Sequence, residues 1–416
     1  MLNTIGVDEG FQDGDFGAYH RAARVVARGE SPYQVDEYGP EETFVYSPAF
    51  AYSIRPLGSL DYPWAARVWI LMNFALWAVC IHLALELALV DSRRHPMHWG
   101  MVWLGGVATL SYFWNNVRVG QAGTLMVFFC LLWVLCLRRG RSFLSGLPLA
   151  AAIAVKLAPV VLVPYLILRR DWRAVAGLLV GGLILLAIPA LWVGWEGAIR
   201  LHLEWIPHCQ ETQTFLQTCR RENQSILGAL ARLPAISNAT TCYSLSRLDT
   251  LKRVYPALVL VLAGAIYGWI FWTLPRDRGR LTRKVESSRE NLHVSLLFIF
   301  MTLAHPRGWS FNYVALILPC MLLTVEVFRR SLDWKKALWT LTLLTVVCAL
   351  PKCVNVVGDW SWPRWVYQSK DIWAVLLVAG VCIRSYARKR NAQQLTLHRE
   401  PAWSARVDEK HPLQAA

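Results

Sequence analysis

Apolar residues run through this chain in blocks far longer than the core element of a soluble protein, separated by short polar clusters rich in arginine. Nine blocks stand out, at roughly 64–90, 98–114, 119–137, 174–194, 254–274, 291–304, 310–328, 337–350 and 371–383. A helix satisfies its own backbone hydrogen bonds, and about 17 to 25 mostly apolar residues carry it across the ~30 Å hydrocarbon core of a bilayer. The shorter blocks follow the same pattern once their polar and tryptophan-rich ends are counted. The periodicity therefore predicts an all-α polytopic membrane protein with about nine to eleven transmembrane helices.

One apolar stretch does not fit the spanning rule. "SFLSGLPLAAAIAVKLAPVVLVPYLILRR" leaves a basic cluster at Arg141 and returns to another at Arg169, with Lys156 and Pro159 near its middle. About thirteen residues on each side make only ~20 Å of helix at about 1.5 Å per residue. A re-entrant helix pair over 143–168 is expected, with Lys156 at its tip. Pro159 cannot donate a backbone hydrogen bond, which leaves the tip irregular and able to line a cavity. A lysine at membrane depth is costly unless it meets an anion or reaches water, so Lys156 is a candidate functional residue. The alternative is a side chain that snorkels to the lipid headgroups.

Composition narrows the class. With 55% hydrophobic residues, 17% charged residues, 21 Trp and a mean hydropathy of +0.33, the 416-residue chain is too apolar for a solvated globule. The formal charge of +15 would suit nucleic acid if it were clustered on one soluble face. Instead 25 of the 43 Lys and Arg fall in 91–97, 138–142, 169–173, 275–290, 329–336 and 384–416, which alternate with the blocks. That is the positive-inside bias of a membrane protein, and no nucleic-acid partner is expected.

The same bias orients the chain in the cell membrane. Residues 1–63 form an exterior segment leading to the membrane, 64–194 and 254–383 carry the helices, 195–253 is an exterior loop subdomain, and 384–416 is a cytoplasmic basic tail. Nine crossings place residue 1 outside. Either a first helix precedes it, which is the expectation here, or residues 1–63 are pushed across by the helix that follows; "MLNTIGVDEGFQ" is neither a signal peptide nor a span.

The exterior face gathers chemistry. Asp13 and Asp15 in "DGDFGAYH", the aromatic and proline run "FVYSPAF", Lys156, and the cations His305 and Arg307 all fall on that side. A carboxylate can take the proton from an acceptor hydroxyl, and cations offset the charge that develops on a departing phosphate. An apolar groove can hold a lipid. These are the parts of a transferase that uses a lipid-linked sugar, or of a transporter or flippase of one. A transporter is expected to show an internal repeat and a charged midplane site, and no such repeat is evident in the sequence.

Other residues add less. Cys209, Cys219, Cys242 and Cys353 lie on the exterior side and are read either as disulfide partners or as small packing residues. His202, Glu204 and His208 do not have a zinc-ligand spacing, so no metal is expected, and no cofactor. There is no Walker, dinucleotide-binding or kinase motif.

The ordered series "DFGAYHRAARVVARGESPY", "FVYSPAFAYSIRPLGSL", "VRVGQAGTLMVFFCLLWVL", "GLPLAAAIAVKLAPVVLVPYLILRRDWR", "ENQSILGALARL" and "HPRGWSFNYVALILP" resembles glycosyltransferase family 87, also described as domain of unknown function 2029. These are polytopic enzymes of the GT-C fold, related to polyprenol-phosphate-mannose-dependent α-mannosyltransferases. The resemblance implies an inverting hexosyltransferase that moves a sugar, mannose in the first instance, from a polyprenyl phosphate to an exterior glycolipid or glycan. It also implies a general base at Asp15, with Asp13 as the alternative. Lys156, Arg307 and His305 would hold the donor phosphate, and Tyr19, Tyr33, Tyr46, Gln121, Asn223, Gln224 and Arg232 would take other binding roles. Two departures matter: Gly123 stands where many relatives have Asn, and Phe311 and Asn312 stand where many have a His pair. They keep open the reading of an inactive family member.

Overall fold

The computed structural model describes residues 14–33, 44–89, 98–211, 223–232, 245–274, 283–306 and 308–330, with isolated positions at 372, 376, 378–380 and 383. Asp13, Arg307, Cys219, Cys242, Cys353 and the expected span at 337–350 lie outside them. The described residues are helical, apart from one isolated antiparallel bridge between Asn223 and Trp309.

Among the described residues thirteen α-helices run in chain order. α1 spans Asp15–Ala27, α2 Pro48–Ser53, α3 Tyr62–Ala88, α4 His98–Arg118 and α5 Gly123–Arg138. They continue as α6 Ser142–Val155, α7 Val163–Leu168, α8 Trp172–Ala187, α9 Ala190–Glu211 and α10 Ile226–Arg232, then α11 Leu245–Thr273, α12 Arg283–Ala304 and α13 Ile317–Arg330. Short 3₁₀ turns at Arg55–Ser59, Ala158–Leu162 and Ser310–Leu316 join some of them. Helices lie over the first seven expected apolar blocks. By length and composition α3 and Arg253–Thr273 within α11 can each cross a bilayer alone, and α8 with α9, bent by 99°, makes a third candidate. The apolar helices α5 and α6 are shorter than a span.

Burial is arranged as in a membrane protein. Leu71, Leu183 and Leu260 on α3, α8 and α11 are 64%, 66% and 70% exposed, while Asn73, Asn116, Thr124, His293 and Ser295 are buried. Large aliphatic side chains on the outside and amides and hydroxyls within are the inverse of the pattern favoured in water. Small residues let helices approach closely, as membrane packing requires. α6 and α8 meet at Gly146 and Gly177, where an added Cβ would fall 2.1 Å and 1.9 Å from the backbone of the opposite helix.

Two local features differ from the sequence reading. The first part of the expected exterior loop, 195–211, is helical after a break at Gly194 (φ +70°), because Trp195, Ile199, Leu203 and Ile206 recur at helical spacing and form an exposed apolar stripe along α9. The block at 310–328 opens as a 3₁₀ turn before α13 begins. There the Tyr313 hydroxyl donates to the Gln224 carbonyl at 2.6 Å and Asn312 accepts from Lys156, so two tertiary contacts fix the turn.

The helices set up two ends. α5 starts beside Gln121 and runs ~24 Å at about 1.5 Å per residue to Arg138. α6 returns from there to Lys156, where the backbone becomes extended (φ −147°, ψ 138°). At the far end Arg169 pairs with Glu290, Arg139 with Glu86 (2.7 Å), and Arg138 donates to the Leu87 carbonyl. The near end holds α1, α2, Gln121 and Lys156.

Candidate active site

The near end is built on aromatic packing around α1. An alanine-rich sequence favours helix, and Asp15 in its first turn suits the positive end of the helix dipole. α1 buries Phe16, Tyr19, Ala22, Ala23 and Val26. Tyr19 meets Tyr46 edge-on at 4.9 Å, Phe50 at 5.4 Å and Trp69 at 5.4 Å between ring centroids. Such edge-to-face contacts add to the burial of large rings. The loop at Gly120 closes against the same helix. Gly120 has φ +70°, and a Cβ there would lie 2.4 Å from the Phe16 Cβ, so only glycine lets the loop pass. Trp69 fixes the loop from the other side, its indole N–H donating to the Gly120 carbonyl at 2.9 Å.

That packing delivers a chain of hydrogen bonds to Asp15. The Tyr33 hydroxyl donates to the Tyr46 carbonyl at 2.8 Å, and the Tyr46 hydroxyl donates to the Gln121 side-chain oxygen at 3.2 Å. Gln121, buried, hydrogen-bonds the Asp15 carboxylate in turn. With its oxygen occupied by Tyr46, the amide has its N–H groups left to offer to Asp15. Withdrawal from bulk water raises the pKa of Asp15 above the ordinary carboxylate range; the positive charge of Lys156 and the Gln121 hydrogen bond counter this in part.

Lys156 faces Asp15 from the end of α6. Among the described residues no direct ion pair joins the two; the Lys156 ammonium donates to the Asn312 side-chain oxygen at 2.9 Å and lies 5.0 Å from the centre of the Phe311 ring. Phe311 and Asn312, two of the three positions read in the sequence as departures from the resembled family, are thus the ones that hold this lysine. Sequence reading flagged them as departures and missed their partner, because 156 positions separate Lys156 from Asn312. Ser47 ties the aromatic segment to the same place, capping α2 and donating to the Ala154 carbonyl at 2.6 Å.

A second cluster forms beside it. Asn223 is fully buried; its side-chain N–H donates to the Pro306 carbonyl at 3.0 Å and its oxygen accepts from the Gly308 and Ser225 N–H groups at 3.0 and 3.1 Å. The Gln224 N–H donates to the Gly308 carbonyl and the Ser225 hydroxyl to that of Pro306. Asn223, Gln224 and Ser225 therefore clamp the turn that carries His305. Arg232 ends α10. Tyr33 also stacks near His208, with centroids 5.3 Å apart, and Ser31 donates to Glu204 on α9 at 2.5 Å. No group of three or more metal-ligating side chains occurs among the described residues.

Taken together, a carboxylate and a lysine, each held by an amide, lie within electrostatic reach of one another beside a packed cluster of aromatic rings. The first can accept a proton and the second can meet an anion. The sequence model of glycosyltransferase family 87 matches residues 44–299, a span that holds Tyr46, Gln121, Lys156, Asn223 and Gln224 and leaves Asp15 before its start and His305 after its end. The chain is 25% identical over 372 residues to a polyprenol-phosphate-mannose-dependent alpha-(1-2)-phosphatidylinositol mannoside mannosyltransferase of Mycolicibacterium smegmatis, covering 84% of this chain and 78% of that one. It is 26% identical over 303 residues to the protein of the same description from Mycobacterium tuberculosis, covering 70% of this chain and 62% of the relative. No solved structure matches it.

Proposed function

Because the chain belongs to glycosyltransferase family 87, and is therefore a membrane glycosyltransferase that uses a polyprenol-phosphate sugar, we propose that it transfers mannose from a polyprenyl phosphate to a hydroxyl of a glycolipid, with inversion, using Asp15 as base and Lys156 as the phosphate contact. The two relatives are described as acting on a phosphatidylinositol mannoside, and a glycolipid of that kind is the acceptor proposed here. The observation that carries the reading is the opposition of Asp15 and Lys156, each held by its own amide partner.

In the proposed step the acceptor O–H loses its proton to the Asp15 carboxylate as its oxygen bonds to the anomeric carbon. The bond from that carbon to the phosphate oxygen breaks at the same time, and the electron pair leaves with the polyprenyl phosphate. Lys156 stabilises the growing negative charge, with His305 and Arg307 proposed to assist. One displacement at one carbon inverts its configuration, and it calls for one base. Tyr33, Tyr46 and Gln121 orient Asp15. Asn223 and Gln224 act through the turn they clamp, while Tyr19 and Arg232 take supporting places near the acceptor. Sugar transfer takes place at the exterior face, and the basic end and C-terminal tail face the cytoplasm.

The test is Asp15→Asn in the full chain, assayed with radiolabelled polyprenyl-phosphate mannose and a membrane glycolipid fraction. The amide keeps the volume of the carboxylate and removes the base, so the rate is expected to fall by about 10²–10⁴-fold at unchanged protein level and membrane insertion. An Asp15→Asn protein with the unmutated rate, alongside an Asp13→Asn protein without it, would assign the base to Asp13.

A further inference from the structure

A recess lies on the far side of α1 from Asp15. Asp15, Tyr19, Ala22 and Val26 follow one side of that helix, whereas Gly17, Arg21 and Arg24 follow the other at helical spacing and face a cavity of about 460 Å³. The 3₁₀ turn and the start of α3 complete it with Gly58, Asp61 and Tyr62, and a hydrogen bond of 3.0 Å between His20 Nε2 and the Leu60 carbonyl ties the two walls together. Arg21 and Arg24 bring two guanidinium groups to its lining and Asp61 one carboxylate.

The position of this recess specifies the ligand. Asp61 caps α3, and the positions that follow it at helical spacing, Trp64, Val68 and Leu71, are all exposed large hydrophobics. A pocket that carries two arginines therefore stands at the head of an exposed apolar stripe, at the start of a helix long and apolar enough to cross a bilayer. We propose that this cavity binds the headgroup of an anionic phospholipid, with its phosphodiester on Arg21 and Arg24, its headgroup hydroxyls on Asp61, and its acyl chains along Trp64, Val68 and Leu71.

Each part of the ligand meets a matching group. A phosphodiester carries one negative charge and two oxygens that accept from guanidinium N–H groups, which match planar oxyanions better than a point charge does. A polyol headgroup offers O–H donors to a carboxylate acceptor. The exposed indole of Trp64, with Arg67 4.7 Å above it, is an anchor of the kind enriched where chains meet headgroups. Neither arginine belongs to the proposed catalytic set, so the site is separable from sugar transfer.

The experiment is native mass spectrometry of the full chain in non-ionic detergent, titrated with phosphatidylglycerol, phosphatidylcholine or inorganic phosphate. One phosphatidylglycerol should be retained in preference to phosphatidylcholine, and inorganic phosphate should not displace it. Arg21→Gln with Arg24→Gln should weaken retention by about tenfold or more, as expected for lost charge-assisted contacts. The exposed Arg24→Gln alone, which carries no folding burden, should give part of that loss. Arg28→Gln, on the same helix but paired with Glu30 outside the cavity, and Asp15→Asn in the proposed catalytic set should both retain the lipid. Equal retention of phosphatidylcholine, displacement by phosphate, indifference to the double substitution, or loss with Arg28→Gln or Asp15→Asn would each overturn the proposal.

Discussion

Asp15 and Lys156 influence one another through space, and that coupling can be read out by pH. A general base works in its deprotonated form, so with a raised pKa its activity is present above that value and is lost as pH falls through it. The acid limb of kcat/KM is therefore expected at a higher pH than an ordinary carboxylate would give. Lys156→Met removes a charge that favours the deprotonated form, so the limb should move higher still. The same substitution should weaken donor binding by about 10- to 150-fold, the range for a lost charge-assisted contact, while acceptor affinity stays nearly constant. Lys156→Arg should recover part of the donor affinity. A pH profile and a donor titration check both, and an unmoved acid limb with unchanged donor affinity would return Lys156 to the status of a snorkelling side chain. Both residues stood out in the sequence because charge in an apolar chain is conspicuous. Asn312, Phe311 and Gln121 gained their roles only when distant segments met.

At the scale of elements, the turn before the last 3₁₀ segment depends on α10. Asn223 spends its side chain on two backbone groups of that turn and on the Ser225 N–H, and replacing it with alanine leaves buried partners unsatisfied. Asn223→Ala is expected to cost about 2 kcal/mol or more of local stability and to raise the KM for donor through displacement of the His305 turn. Thermal melting and steady-state kinetics together check it; a lower kcat with unchanged melting would instead indicate direct contact with the reacting groups. The Asn-Gln-Ser element was noticed in the sequence for its resemblance to a family motif. Nothing in one-dimensional spacing revealed that its side chains would face the backbone of the 305–309 turn. α9 shows the reverse case, since its apolar positions at helical spacing were present in the sequence and were read there as part of a loop.

Across the described residues, the aromatic cluster around Asp15 and the arginine-rich end are separated by the length of α5 and α6. If the basic end faces the cytoplasm, an engineered cysteine at Arg200 on α9 should react with an impermeant maleimide from outside sealed cells, and one at Arg278 should not. Labelling of the Arg278 site would invert the molecule and place Asp15 inside. What the sequence by itself determined is the class of molecule. Apolar block length, exposed-face periodicity and the distribution of Lys and Arg follow from the cost of placing backbone and charge in hydrocarbon, a constraint that acts on every residue locally and so leaves a local trace. The tertiary structure decided which residues work together. Only in the folded chain does Gly120 admit Phe16, does Gln121 reach Asp15, and does Lys156 find Asn312. These contacts join residues more than a hundred positions apart, and packing, which depends on three-dimensional complementarity, has no one-dimensional period from which they could have been read.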